Sequence, residues 1–208
     1  YAASNGHASV VEVLLGDEHV DRNIASEKDG DTALMLAACN GHASAVKVLL
    51  GDERVDRNIV DKEDGYTALI IAANKGHTSV VEVLLGDECV DRNIVDKTNG
   101  YTALMIAANI EHASVVEMLL GDERVDRNIV DKELGGTALM IAATRGKTSV
   151  VEMLLGDEHV DRNIASEKDG STALILATTF GHASVVEVLL GDERVDRNIV
   201  NKELGGTA

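Results

Sequence analysis

Six Gly-Asp-Glu triplets begin at Gly16, Gly51, Gly86, Gly121, Gly156 and Gly191, each 35 residues after the one before. A strict period of this length restricts the chain to folds built by stacking one supersecondary unit, each copy leaning on its neighbours. It also sets how motifs are read, because a residue recurring in every unit is scaffold before it is chemistry.

The stretch from Gly51 to Leu85 holds one complete unit. Thr67-Ala68-Leu69 opens a first helix, with the Thr67 side-chain oxygen available to accept an amide of the first turn. Gly76 ends it, since glycine takes the positive φ that closes many helices. A second helix is predicted over Thr78–Leu85. Its Val80, Val81, Val83, Leu84 and Leu85 include pairs three and four residues apart, the spacing of one helical face. Gly86 stops it. Helices of two or three turns are not stable alone in water, so their apolar faces must be buried against adjacent units. Residues 87–99 are charged and read as a loop or a two-stranded finger, anchored by Val90 and Ile94 turning inward.

The run Thr-Ala-Leu-(Met/Ile)-x-Ala-Ala-x-x-Gly-His, then Val-Val-Glu-Val-Leu-Leu, then an Asn in the following loop, resembles the ankyrin repeat. The family pattern is Thr-Pro-Leu-His-x-Ala with a period near 33. Here Ala33 and its equivalents replace the Pro, and Met35, Ile70, Met105, Met140 and Ile175 replace the His. The resemblance implies an all-α helix-turn-helix solenoid with projecting loops or β-hairpin fingers. Residues 1–208 are expected to form a single array of about six units, with residues 1–29 and 205–208 as incomplete ones.

Both ends fall inside a repeat: Tyr1-Ala2-Ala3 matches Leu36-Ala37-Ala38, and Ala208 matches Ala173. The expectation is a fragment of a longer array, or a subunit whose open ends stack on other copies. A net charge of −17 disfavours nucleic acid and anionic membranes, which call for clustered Lys and Arg, and favours basic partners. Asp56-Arg57 and its copies mix both signs and are expected to form a ladder of exposed ion pairs, each worth only ~0–1 kcal/mol. Cys39 and Cys89 occupy different parts of the unit and read as unpaired thiols, which favours a reducing, intracellular compartment.

Several motifs invite a chemical reading and lose it to the repeat. His7, His42, His77, His112 and His182 share one position after the first helix, with Lys147 standing there in the fifth unit. One His per repeat is a ladder, not a cluster that closes on one metal ion; a hydrogen bond within the inter-helix turn is expected. Asp52, Glu53, Asp56 and Asn58 lack calcium-loop spacing and read as solvated loop polar residues. Gly146-Lys147-Thr148 ends like a phosphate-binding loop, but Ile141 occupies the place of the required glycine. No nucleophile, base or acid has a setting of its own. The chain is therefore read as a non-enzyme with no cofactor and no metal.

What varies is more telling. The residue between Gly and Thr is Asp31, Tyr66, Tyr101, Gly136, Ser171 and Gly206; the ends of the first helices carry Cys39-Asn40, Asn74-Lys75, Asn109-Ile110, Thr144-Arg145 and Thr179-Phe180. The resemblance implies that these places lie on the concave side, where such proteins hold partners. Tyr66, Tyr101, Lys75, Ile110, Arg145 and Phe180 are the candidate partner-binding residues, set against neutral variation at exposed sites. Two oddities stand beside them: Glu111 replaces a helix-ending Gly, at a cost of roughly 1 kcal/mol if φ stays positive, and Thr178 puts a hydroxyl near a tight helix contact. The leading expectation is a protein-binding scaffold, holding partners on the concave face and loop tips. The alternative is a structural protein that polymerises head to tail with further copies of itself, since a contact that does not close gives an open filament.

Overall fold

The computed structural model of the chain describes residues 1–199. The incomplete unit expected at 205–208, and Gly206 with it, lies outside the described residues. Among the described residues there are eleven helices and no strand. The chain divides into two compact units, Tyr1–Thr98 and Asn99–Ala208.

The first unit holds α1 (Ala8–Leu15), α2 (Ala33–Cys39), α3 (Ala43–Leu50), α4 (Ala68–Lys75) and α5 (Thr78–Leu85). First helices pack on first helices (α2 on α4) and second on second (α1 on α3, α3 on α5), giving two layers. The second unit repeats this with α6 (Ala103–Ile110), α7 (Ala113–Leu120), α8 (Ala138–Thr144), α9 (Thr148–Gly156), α10 (Ala173–Thr179) and α11 (Ala183–Gly191). There α6, α8 and α10 form one layer and α7, α9 and α11 the other.

The local signals work as the sequence implied. Thr67 Oγ1 accepts from the Ile70 amide at 3.2 Å, and Gly76 closes α4 at φ 71°. Where the family pattern has His, Met35 turns its sulfur back to accept from the Thr32 amide at 3.4 Å, so the replacement keeps a reciprocal cap. Ile70, Ala72 and Ala73 of α4 are buried, as are Val80, Val81 and Leu84 of α5. Each buried Val, Leu or Ile stabilises the stack by about 1.5–3 kcal/mol relative to exposure.

The second helices end differently from the first. Gly86 keeps a right-handed φ of −69°, so glycine's freedom is not what stops α5. Instead Arg92, buried, donates Nη2 to the carbonyls of Leu85 at 2.7 Å and Asp87 at 2.8 Å. Charge-assisted donors to the last carbonyls satisfy groups a helix end leaves open.

The fingers are loops built from turns. Asp61 does what a second strand would otherwise do: its carboxylate accepts the amides of Asp64, Gly65 and Tyr66 at 2.8, 2.9 and 3.2 Å. In the second unit Asp131 accepts from Glu133, Leu134 and Gly136 at 2.8, 2.7 and 2.8 Å. Consecutive fingers are joined by main-chain bonds, Lys62 N to Asp29 O at 2.9 Å and Lys97 N to Asp64 O at 2.7 Å. A Cβ on Gly65 would sit 2.5 Å from Lys97 Cγ, which is why glycine precedes the variable position. Of the two anchors expected, Val90 is buried and Ile94 only half-buried, because Arg92 takes the inward place between them.

Candidate functional site

Several of the recurring polar residues hold neighbouring repeats together. The histidines bond across repeats and not within their own turn: His77 Nε2 lies 3.0 Å from Cys39 O, His42 Nε2 3.0 Å from Ser4 O, and His182 Nε2 2.9 Å from Thr144 O. The ring lies over the glycine ending the previous first helix. A Cβ on Gly41 would stand 3.0 Å from His77 Nδ1, and one on Gly146 2.7 Å from His182 Nδ1. Asn58 bridges to the next loop, accepting from Asp91 N at 2.8 Å and donating to Cys89 O at 2.9 Å.

The charged loop is also corrected. Arg57 is 9% exposed; its Nε donates to Asp87 Oδ2 at 3.2 Å in the following repeat and its Nη2 to Leu50 O at 2.8 Å. This is a largely desolvated, fully bonded group and not an exposed rung, because the Arg stem reaches under the loop to the end of the second helix. Asp52 is not a solvated acid either: Arg54 Nη2 at 2.8 Å and Arg22 Nε at 3.1 Å flank it. The Arg54 guanidinium and amide beside it hold its carboxyl well below the usual carboxylate range, and Arg194 does the same for Asp192. Among the described residues no group of three His, Cys, Asp or Glu is placed to hold a metal ion. Cys39 and Cys89 are free thiols.

One junction breaks this pattern. Glu111 adopts φ 64°, the one positive φ outside glycine among the described residues. Its carboxylate pairs with Lys147 Nζ at 3.0 Å and accepts from Ser149 Oγ at 3.2 Å. The hydrogen bond from Lys147, more than that from Ser149, holds the Glu111 carboxyl below its ordinary value. The two departures from the repeat are thus one: with a Cβ where glycine belongs, an imidazole over it would collide, and a flexible lysine replaces it. Thr178, by contrast, is exposed and donates to Ile175 O at 2.7 Å, so its hydroxyl does not sit in a tight contact.

The six candidate residues fall into two groups. Tyr66, half-buried, and Lys75, exposed, flank α4 in the first unit. Burial, then the nearby Asp64 charge, pushes the Tyr66 phenol up. Tyr101, Ile110, Arg145 and Phe180 belong to the second unit. Ile110, Arg145 and Phe180 sit at the C-terminal ends of α6, α8 and α10, one per repeat, and all are exposed. Arg145 Nε donates to Asn109 Oδ1 at 3.0 Å.

Tyr101 and Arg145 line one cavity of about 180 Å³ on the side formed by finger bases and first helices. Leu134, Met140, Ile141 and Leu176 supply apolar walls, and Asp131, Glu133 and Asp169 line it with carboxylates. Burial pushes the Asp169 carboxyl up, but the Ser171 hydroxyl at 2.7 Å and amide at 2.9 Å outweigh it and hold the group below its usual value. Leu134, 60% exposed at the tip of its finger, and Asp169 were missed in the sequence. Leu134 carried a signal, an apolar residue where the equivalent fingers have Asp64 and Asn99. Asp169 carried none, because it repeats Asp29 in an identical stretch.

The repeat architecture is shared with known proteins. The family model for ankyrin repeats (3 copies) matches residues 1–93, 44–129 and 104–201. Among solved structures, the fold is similar to the ankyrin repeat domain of Bcl-3, described as a unique member of the IkappaB protein family. The TM-score is 0.89 at 24% identity, over 99% of this chain and 89% of that one. It is also similar to EF0377, an ankyrin repeat protein, with a TM-score of 0.79 at 25% identity over 91% of this chain and 94% of that one. No curated protein matches. Among the described residues no helix is long and apolar enough to cross a membrane. The repeated helix pair, its threonine caps and glycine stops, and the family model spanning nearly the whole chain place it in one group: the chain belongs to the ankyrin repeat family, whose domains bind other proteins.

Proposed function

We propose that this chain is a non-enzymatic scaffold that holds other proteins on its finger bases and first-helix ends. The observation that carries this is the division of labour within each repeat. Recurring residues such as His77, Arg57 and Asn58 are spent on junctions, while Tyr66, Lys75, Tyr101, Ile110, Arg145 and Phe180 stand at positions that vary, and four of them are exposed and two half-buried. Aromatic and Arg side chains are the types that dominate binding energy when a partner buries them. A charge of −17 favours basic protein partners over nucleic acid or anionic membrane. In this reading residues 1–208 form one array, because the 35-residue period runs unbroken through Thr98 and Asn99.

The test compares two multiple variants. One carries Tyr66→Ala, Tyr101→Ala, Arg145→Ala and Phe180→Ala; the other carries Glu82→Gln, Glu117→Gln and Glu152→Gln, exposed positions on the second helices. Cross-linked partners should be lost from the first and kept by the second. Equal retention by both would place binding elsewhere.

A further inference from the structure

We infer that the cavity beside Tyr101 receives a single basic side chain, a lysine or arginine set among apolar residues of a partner protein. This rests on the scaffold reading and deepens it. The cavity arises from residue choice at the variable finger-base position: Tyr101 forms one wall, and the next two repeats carry Gly136 and Ser171 where a tyrosine would fill the space. Its volume of about 180 Å³ is below the ~300–1,000 Å³ typical of small-molecule sites and near that of one long side chain.

The lining selects which side chain. Leu134, Met140, Ile141 and Leu176 offer a sleeve for an aliphatic stem. Three acids, Asp131, Glu133 and Asp169, line the cavity together with one basic residue, Arg145, and the Arg145 guanidinium already donates to Asn109. Asp131 is buried and Asp169 half-buried, and both are held in place by amides or a hydroxyl. A glutamate entering here would meet like charge. A purely apolar residue would desolvate carboxylates without pairing them, which is unfavourable. A lysine or arginine buries its stem and keeps its head among the acids, and the acidic chain as a whole draws such a partner in.

The probe is a library of random twelve-residue peptides selected on the full chain, the strongest of which is then measured by fluorescence polarisation. The expected peptides share a Lys or Arg beside apolar residues. Replacing that residue by norleucine should weaken binding about tenfold, the size of one charge-assisted contact. Gly136→Tyr places there the residue that Tyr66 and Tyr101 supply in the equivalent fingers; its Cβ would stand 2.7 Å from Asp131 Oδ2, so the Asp131 carboxylate must shift as the ring fills the cavity, and binding should weaken by a similar factor. Glu133→Lys, at an exposed position, should do the same by repulsion, whereas Glu82→Gln should change nothing. Peptides with no shared cation, or binding indifferent to both Gly136→Tyr and Glu133→Lys, would overturn the cavity assignment and leave the scaffold reading standing. Enrichment of no peptide at all would overturn both.

Discussion

Two junctions of the same design hold their repeats together by different chemistry. In the first unit, His77 lies over Gly41 and bonds Cys39 O at 3.0 Å. At the matching place in the second unit, Glu111 stands for the glycine and Lys147 for the histidine, joined at 3.0 Å. The first junction needs a residue without a Cβ, because the ring fills the space. The second accepts a Cβ and the strain of φ 64°, and replaces ring contact with an ion pair whose side chains are 29% and 41% exposed. An exposed pair is worth little. The comparison teaches that the two substitutions are a coupled change: either alone leaves a collision or a lost partner.

The largest expected effect checks what the junctions share. Arg57→Ala in the first unit and Arg127→Ala in the second each remove a buried guanidinium from its Asp partner and from a helix-end carbonyl. Each should cost about 3 kcal/mol in urea unfolding, and a clear inequality between them would show that the frames differ as well as the locks. Next, Gly41→Glu alone should cost about 2 kcal/mol, from positive φ and the collision with His77. Adding His77→Lys should recover about 1 kcal/mol, and a double-mutant cycle with no coupling would refute the idea of a paired change. In the opposite direction, Glu111→Gly should relieve about 1 kcal/mol of backbone strain and lose the weak pair, so a small net gain in thermal midpoint is expected.

The smallest effect is a pH dependence. Because the Glu111 carboxyl titrates below its ordinary value in the folded chain, its contribution is present above the unfolded value near 4.3 and is lost as pH falls through the folded one. Stability measured from pH 6 downward should therefore decline slightly more in the native chain than in Glu111→Gln. After solvent screening the difference should be about 0.5 kcal/mol at most.

Much of the fold was legible because it rests on local contacts. Thr67 and Gly76 each act within a turn or so of their own position, and Val80 with Leu84 marks a helical face by spacing alone. The junctions were not legible. His77 reads as a turn residue and Arg57 as a surface charge, since their partners are 38 and 30 residues away. Tyr101 and Arg145 stood out by varying, yet nothing in their spacing put them on one cavity with Leu134 and Asp169. Glu111 was recognised as strained, but its link to Lys147 needed the stacked geometry.

By itself the sequence determined the repeating unit: its period, its paired short helices, its caps and stops, and the sparse set of positions free to differ. These follow from backbone preference and apolar spacing, which act over a few residues. Only the tertiary structure decided what the polar residues are for. Stacking brings side chains one repeat apart into bonding distance, so a histidine finds a carbonyl, a buried arginine finds an aspartate, and Gly136 and Ser171 leave open a space beside Tyr101. Those outcomes depend on which atoms meet across the stack, a distance that no local preference encodes.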